Sequence, residues 1–150
     1  MTYFPMRLFL LTACFLAALA VCQADDRPAT LRAIATTETT EVHPDSVFDL
    51  TLSLENLTDA VQEVIIPDPG WDRVWKSNNR HITWDFWDSD FNDQITIQIP
   101  PHESYVFPRP LKMFVDGAGK KTRMDFRMGF KTKTFSKTLW SSTISLTVIP

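Results

Sequence analysis

The feature that most constrains this chain is an alternation of apolar and polar residues with a period of two. The clearest run covers residues 48–55, where Phe or Leu alternates with Asp, Thr, Ser and Glu. Similar runs occur at residues 95–99, 122–130 and 144–148. A period of two is typical of a strand with one buried face, because successive side chains point to opposite sides. The pattern therefore predicts a protein built from β-strands around a core.

Proline, glycine and short polar residues separate these runs. Residues 56–59 (Asn-Leu-Thr-Asp) end the first run, residues 61–66 read as the returning strand, and Pro-Asp-Pro-Gly at 67–70 stops it. Residues 116–119 (Asp-Gly-Ala-Gly) mark another tight connection. No window of helical length has apolar residues spaced by three and four. We expect an all-β protein, an antiparallel immunoglobulin-like sandwich of about seven to nine short strands.

The N-terminus has the pattern of a secretory signal peptide. Arg7 precedes an unbroken apolar run at residues 8–21, which is shorter than the roughly 20 residues of a membrane-spanning helix. Small residues stand at the positions that a cut after Ala24, or after Ala20, requires. The pattern predicts an exported protein, periplasmic or secreted, with no transmembrane segment.

Both cysteines, Cys14 and Cys22, lie in this N-terminal region. A cut after Ala24 leaves a domain without cysteine, which excludes disulfides, zinc–thiolate sites and thiol catalysis. Residues 19–22 (Leu-Ala-Val-Cys) also resemble a bacterial lipoprotein box, although Val21 departs from the usual small residue. Lipidation of Cys22, which would tether the protein to a membrane, is therefore the alternative to ordinary secretion.

These signals divide the chain into three parts. Residues 1–24 are predicted to be a cleaved signal peptide. Residues 25–41, rich in Thr, Ala and Glu, read as a loose leader with one edge strand near residues 31–35. Residues 42–150 are predicted to form a single sandwich domain, because their number suffices for one core and scarcely for two.

Several short motifs occur in an order that is found in a known family. They are an alternating strand with an Asn-Leu-Thr-Asp turn, a returning strand, Trp-Lys-Ser, Ile-Pro-Pro-His-Glu-Ser-Tyr and Trp-Ser, at residues 48–59, 61–66, 75–77, 99–105 and 140–141. Over about residues 42–115 the chain resembles the bacterial intracellular proteinase inhibitor family of immunoglobulin-like sandwiches. The resemblance implies the sandwich fold and proteinase inhibition, and the export signal departs from that family.

Four of the five tryptophans lie within residues 71–87. Trp84 is predicted to be in the core, since it shares a strand face with Ile82. Trp71 and Trp75 lie in a polar loop, for which two interpretations are open. Their rings either pack over the edge of the sandwich or stay exposed and bind a partner together with Trp87 and Arg80.

The acidic run at residues 85–93 partly copies a calcium-binding loop. Asp88, Asp90 and Asn92 alternate as oxygen ligands do, but Asp93 stands where glycine is needed and Ile99 where glutamate is needed. We expect a solvated turn rather than a metal site here.

Charge is segregated along the chain. Residues 25–107 hold 16 acids and 5 bases, whereas residues 108–150 hold 2 acids and 9 bases. Cross-strand pairing of unlike charges is the expected consequence. The alternative is a basic strip that meets lipid headgroups or cell-wall polymer. That strip is formed by Lys120, Lys121, Arg123, Arg127, Lys131, Lys133 and Lys137. Nucleic acid is an unexpected partner for an exported chain of net charge −3.

No pattern of residues indicates catalysis. His43, His81 and His102 have no second ligand at metal-binding spacing, and the sequence has no nucleophile elbow or phosphate-binding glycine loop. We therefore expect no enzyme activity, cofactor or metal. The predicted function is a binding domain for a protein or cell-envelope polymer. A proteinase inhibitor and a lipid-tethered envelope subunit are the alternatives.

Overall fold

The computed structural model describes residues 30–85, 93–116 and 122–149, which form an all-β structure with several antiparallel sheets. This confirms the predicted class. A four-residue 3₁₀ helix covers Trp71–Val74, and no helix of the described residues is long and apolar enough to cross a membrane. In these residues the strands are β1 (Leu31–Thr36), β2 (Glu41–Val42), β3 (Val47–Asn56), β4 (Gln62–Pro67), β5 (Trp75–Ser77), β6 (Ile82–Thr83), β7 (Gln94–Ile99), β8 (Ser104–Val106), β9 (Leu111–Val115), β10 (Thr122–Phe126), β11 (Met128–Phe130), β12 (Leu139–Trp140) and β13 (Ile144–Val148).

The strands form four sheets. The largest has the order β1-β3-β9-β6, with β8 also paired to β3. Two three-stranded sheets have the orders β10-β13-β2 and β12-β11-β5, and β4 pairs with β7 in the fourth. All of these pairs are antiparallel except β13 with β2. The arrangement is compatible with a β-sandwich.

One hydrophobic core joins these sheets. Leu50 and Leu54 of β3 are fully buried, as are Val64 of β4, Ile99 of β7 and Met113 of β9. Buried side chains of the other sheets, such as those of the strands β5, β11 and β13, belong to the same cluster. The alternating sequence pattern therefore identifies the inward face of each long strand correctly.

The described residues contain thirteen strand segments rather than seven to nine, because several predicted strands are interrupted. The predicted strand at residues 122–130 is divided at Arg127 into β10 and β11. Burial still alternates through the break, since Met124, Phe126 and Met128 are all buried. Residues 81–86 also alternate in sequence and predict a strand, but β6 covers only Ile82–Thr83 of them, and Phe86 lies outside the described residues.

The strand predicted near residues 31–35 is present as β1. It pairs with β3 along its whole length, from Leu31 opposite Asn56 to Thr36 opposite Thr51, and Leu31 is buried. This part of the predicted leader therefore belongs to the sheet. Residues 1–29, which include the predicted signal peptide, lie outside the described residues.

Asn56 organises the turn that joins β3 to β4. Its side chain is fully buried, and Nδ2 donates hydrogen bonds to the carbonyl oxygens of Ala60, Ile99 and Pro100 at 2.7, 2.9 and 3.0 Å. Its Oδ1 accepts hydrogen bonds from the backbone N–H and the hydroxyl of Thr58. The amide thus holds the start of β4 against the end of β7.

Candidate functional site

A groove opens where two paired strands separate. β5 pairs with β11 from Trp75 opposite Phe130 onward, and the ladder ends where the backbone N–H of Lys131 donates to the carbonyl of Val74 at 2.8 Å. Beyond this hydrogen bond the two segments diverge. One leads back through the 3₁₀ helix to β4, and the other continues from β11 as residues 131–134. The gap between them, which we call the β4 groove, has a volume of about 480 Å³. That volume is typical of ligand-binding sites.

The two walls of the β4 groove differ in chemistry. Ile65, Pro67 and Val74 make one wall apolar, and the side chain of Ile65 is 42% exposed. The other wall is the segment 131–134, from which the exposed residues Lys131 and Lys133 contribute positive charge. The groove therefore combines an apolar surface with a cationic rim.

The β4 groove also runs beside an unpaired strand edge. Among the described strands, β4 pairs only with β7, and residues 65–67 on β4 line the groove. An unpaired edge presents backbone N–H and C=O groups to which another extended chain can bind.

Local hydrogen bonds order the segment 131–134, which carries the two lysines of the β4 groove. Thr132 is buried, its hydroxyl lies 2.6 Å from that of Thr134, and its carbonyl accepts a bond from the N–H of Phe135. The ring of Phe135 packs edge-on against Phe130, with 5.9 Å between centroids. The polar residues 131–137, whose composition predicts a solvated connection, are therefore partly an ordered turn.

Trp71 and Trp75 are buried in the hydrophobic core. They are only 5% and 2% exposed. The ring of Trp71 lies 4.9 Å from that of Phe107, and the ring of Trp75 lies 5.2 Å from that of Phe130. The structure thus agrees with the interpretation that the loop packs over the sandwich, and it corrects the alternative, since buried rings cannot contact a partner.

Of the remaining predicted binding residues, Arg80 lies in the described part of the chain. Arg80 is exposed and its Nε donates to Nε2 of His81 at 3.2 Å. Trp84 is partly buried and packs against the core, as its position in the alternation indicates. Trp87 lies outside the described residues.

Most of the acidic run and the cysteines also lie outside the described residues, namely Asp88, Asp90, Asn92, Cys14 and Cys22. Asp93 is exposed, and its carbonyl accepts a hydrogen bond from the N–H of Asp68 at 2.9 Å, next to the β4–β7 ladder. Within residues 30–85, 93–116 and 122–149, no group of three His, Cys, Asp or Glu side chains could hold a metal ion.

The three histidines have separate surroundings. Nδ1 of His43 lies 3.1 Å from the carbonyl oxygen of Ile149, His81 contacts Arg80, and Nε2 of His102 lies 2.7 Å from Oδ1 of Asp59. None of these contacts brings two histidines together.

The basic strip is partly neutralised. Arg123 donates to Oδ1 of Asp125 at 3.0 Å and to the Ser145 hydroxyl at 3.0 Å. The hydrogen bond from Ser145, followed by that from Arg123, lowers the pKa of Asp125 below its usual range. A cross-strand pair, Lys112 with Asp49 at 2.6 Å, also joins the basic and acidic parts of the chain.

At the other end of the strip, Arg127, Lys131, Lys133 and Lys137 are exposed. Lys120 and Lys121 lie outside the described residues.

No protein-family model matches this chain, and no curated protein matches its sequence significantly. The resemblance to the intracellular proteinase inhibitor family therefore depends only on the short motifs quoted above.

The sequence contained one signal for the β4 groove. Ile65 occupies an outward position in the alternation of β4, where a polar residue is typical. Nothing in the sequence linked it to Lys131 and Lys133, because that proximity depends on where β5 and β11 stop pairing.

Proposed function

We propose that this protein is an exported, non-enzymatic binding domain that holds an extended acidic segment of a partner protein in the β4 groove. The observation that carries the proposal is the edge of β4 that no other described strand occupies, beside the cationic rim of Lys131 and Lys133. A peptide added as a strand would bond to the β4 backbone. Its apolar side chains would pack against Ile65 and Pro67, and its acidic side chains would pair with the lysines.

We further propose an immunoglobulin-like architecture for the domain. In constant-type immunoglobulin sandwiches, lettered in chain order, the two sheets have the strand orders ABED and CFG. The orders β1-β3-β9-β6 and β5-β11-β12 correspond to these two sheets if β1 is strand A and β12 is strand G. In this scheme β4 and β5 are two parts of strand C, which the 3₁₀ helix separates.

Short synthetic peptides test the binding proposal. Dye-labelled peptides that alternate valine with glutamate are titrated with the protein, and fluorescence anisotropy reports binding. We expect at least about tenfold weaker binding when lysine replaces the glutamates, because the rim would then repel the peptide. N-methylation of alternate peptide bonds should also weaken binding, since it removes donors needed for strand addition.

Matched variants locate the site. Lys131→Glu with Lys133→Glu should reduce affinity by about tenfold or more, whereas Lys137→Glu, outside the lining, should change it less than about twofold. Ile65→Thr should weaken binding, and Ile95→Thr should not, although both isoleucines are similarly exposed at 42% and 38%. Equal binding by all variants would show that the groove is not the site.

The export part of the proposal is supported by Arg7 and the apolar run at residues 8–21. Expression of the full chain in a bacterium, followed by fractionation and N-terminal sequencing, tests it. We expect a mature protein that begins at Asp25 and stays in the periplasmic fraction. A membrane-bound product that Cys22→Ser releases would instead favour lipidation, and an uncut cytoplasmic product would contradict export.

A further inference from the structure

A second surface, separate from the β4 groove, lies on the face of the β5–β11–β12 sheet. Gly129 of β11 is opposite Trp140 of β12 on one side and opposite Lys76 of β5 on the other. Directly opposed residues in a sheet share a face. Lys76, Gly129 and Trp140 therefore form a row across three strands, and Lys76 is exposed.

The absence of a side chain at Gly129 makes room for the tryptophan ring. A Cβ atom there would lie 2.7 Å from Cζ3 of Trp140 and 2.6 Å from Cγ2 of Thr138. The ring is bordered by two cations: Nζ of Lys76 is 5.2 Å and Cζ of Arg127 is 5.5 Å from its centroid. Cation–π attraction at these distances holds a guanidinium and an ammonium group beside one partly exposed aromatic ring.

The surface continues beyond the ring. Trp140 lines a shallow cavity of about 280 Å³ together with Leu31, Ala33 and Leu57 of the neighbouring sheet region. Arg32 is on the rim of this cavity and is ion-paired with Glu55. Two cations, Lys76 and Arg127, therefore lie at the tryptophan end of this apolar and aromatic strip, whereas Glu55 balances the charge of Arg32 at the other end.

We propose that this strip, the Trp140 surface formed by Lys76, Arg127, Trp140 and the adjoining cavity, binds an acidic polysaccharide. The apolar side of a sugar ring packs against Trp140, and carboxylate groups on the sugar accept charge-assisted hydrogen bonds from Arg127 and Lys76. The site is distinct from the β4 groove and shares none of the residues that the peptide tests alter.

Two observations favour a polysaccharide over other anions. The central strand β11 pairs with both β5 and β12, so a peptide lying across this face would gain no strand-type hydrogen bonds from it. A lipid surface favours a broad cationic patch, but in the neighbouring sheet Arg123 is ion-paired with Asp125 and lies in register with the exposed Glu41 through Thr147. A single sugar chain needs only the two cations beside Trp140.

Affinity electrophoresis in gels that contain polygalacturonate tests the proposal. Migration of the wild-type protein should be retarded, and a gel with the fully methyl-esterified polymer should not retard it, because esterification removes the carboxylates. Poly-glutamate of equal charge density should bind at least about tenfold more weakly, because it has no sugar rings to pack on the indole. Vesicles of phosphatidylglycerol and phosphatidylcholine should also bind weakly.

Variants connect binding to the surface. Lys76→Gln with Arg127→Gln should weaken binding about tenfold, and Trp140→Leu severalfold, while Lys112→Gln, which removes one exposed charge elsewhere, should change it less than about twofold. Circular dichroism spectra and unfolding midpoints check that each variant is still folded. No retardation of the wild type, equal binding of poly-glutamate or the vesicles, or an equal loss in Lys112→Gln would overturn the proposal.

Discussion

β3 and β4 are consecutive strands in which buried and more exposed residues largely alternate, yet they have different neighbours. Residues 53–55 of β3 pair with β1 and also with β8, and Leu50 and Leu54 are fully buried. In the described structure β4 has only β7 as a partner, and Ile65 is exposed on its outward face. The difference teaches that alternation specifies which face of a strand is buried and not whether its edges are occupied.

The largest expected effect is a difference in the free energy of unfolding between a variant of β3 and a variant of β4. Leu50→Ala in β3 should lower the free energy of unfolding by about 2–5 kcal/mol, because it leaves a cavity in a packed core. Ile65→Ala in β4 should cost less than about 1 kcal/mol, since the side chain is already partly in solvent. Urea denaturation measures the free energy of unfolding of both variants. Similar losses would contradict the conclusion that Leu50 is packed in the core whereas Ile65 is accessible to solvent.

The junction between the strands should be nearly as sensitive. Asn56→Ala should lower the free energy of unfolding by about 2–4 kcal/mol, because it removes the donor to the buried carbonyl of Ile99 and to the partly buried carbonyl of Pro100. Thr58→Ala serves as the control and should cost less, since Thr58 is only partly buried. If Asn56→Ala were neutral in thermal unfolding, the buried amide would not be what joins β4 to β7.

Hydrogen exchange should distinguish β4 from β3 at the level of single amides. Alternate amides of β4 point to its unpaired edge and should exchange roughly 10- to 100-fold faster than those of residues 53–55 in β3, which have partners on both edges. NMR-detected exchange measures this. The acidic peptide should slow those β4 amides on binding, and uniform protection along β4 in the free protein would mean that the edge is already occupied.

The smallest effect is expected on the outward face of β3. Lys112→Gln removes the exposed ion pair with Asp49 and should change the free energy of unfolding by less than about 1 kcal/mol, because solvent screens such pairs. Gln98→Ala, which removes the Glu63 contact across β4 and β7, should be equally mild. A large loss in either variant, measured by urea denaturation, would show that outward contacts help to stabilise these strands.

The sequence predicted the secondary structure better than the site. The alternation in residues 48–55 located β3 because the buried face of a strand is a local property of every second residue. The turn at 56–59 and the proline-rich stop at 67–70 located β4 between them. Trp71 and Trp75 were harder to assign, since a tryptophan in a polar segment looks the same whether it is exposed or packed. Their burial depends on Phe107 and Phe130, which are distant in the sequence.

The sequence by itself determined the all-β class, the turn at Asn56 and the inward faces of the long strands, because each follows from the periodicity or chemistry of neighbouring residues. Tertiary structure alone decided that one edge of β4, beside Lys131, has no partner among the described strands, and that Gly129 makes room for the ring of Trp140 near Lys76 and Arg127. These features arise from contacts between segments far apart in the chain, and the order of residues along one strand does not specify what lies next to it.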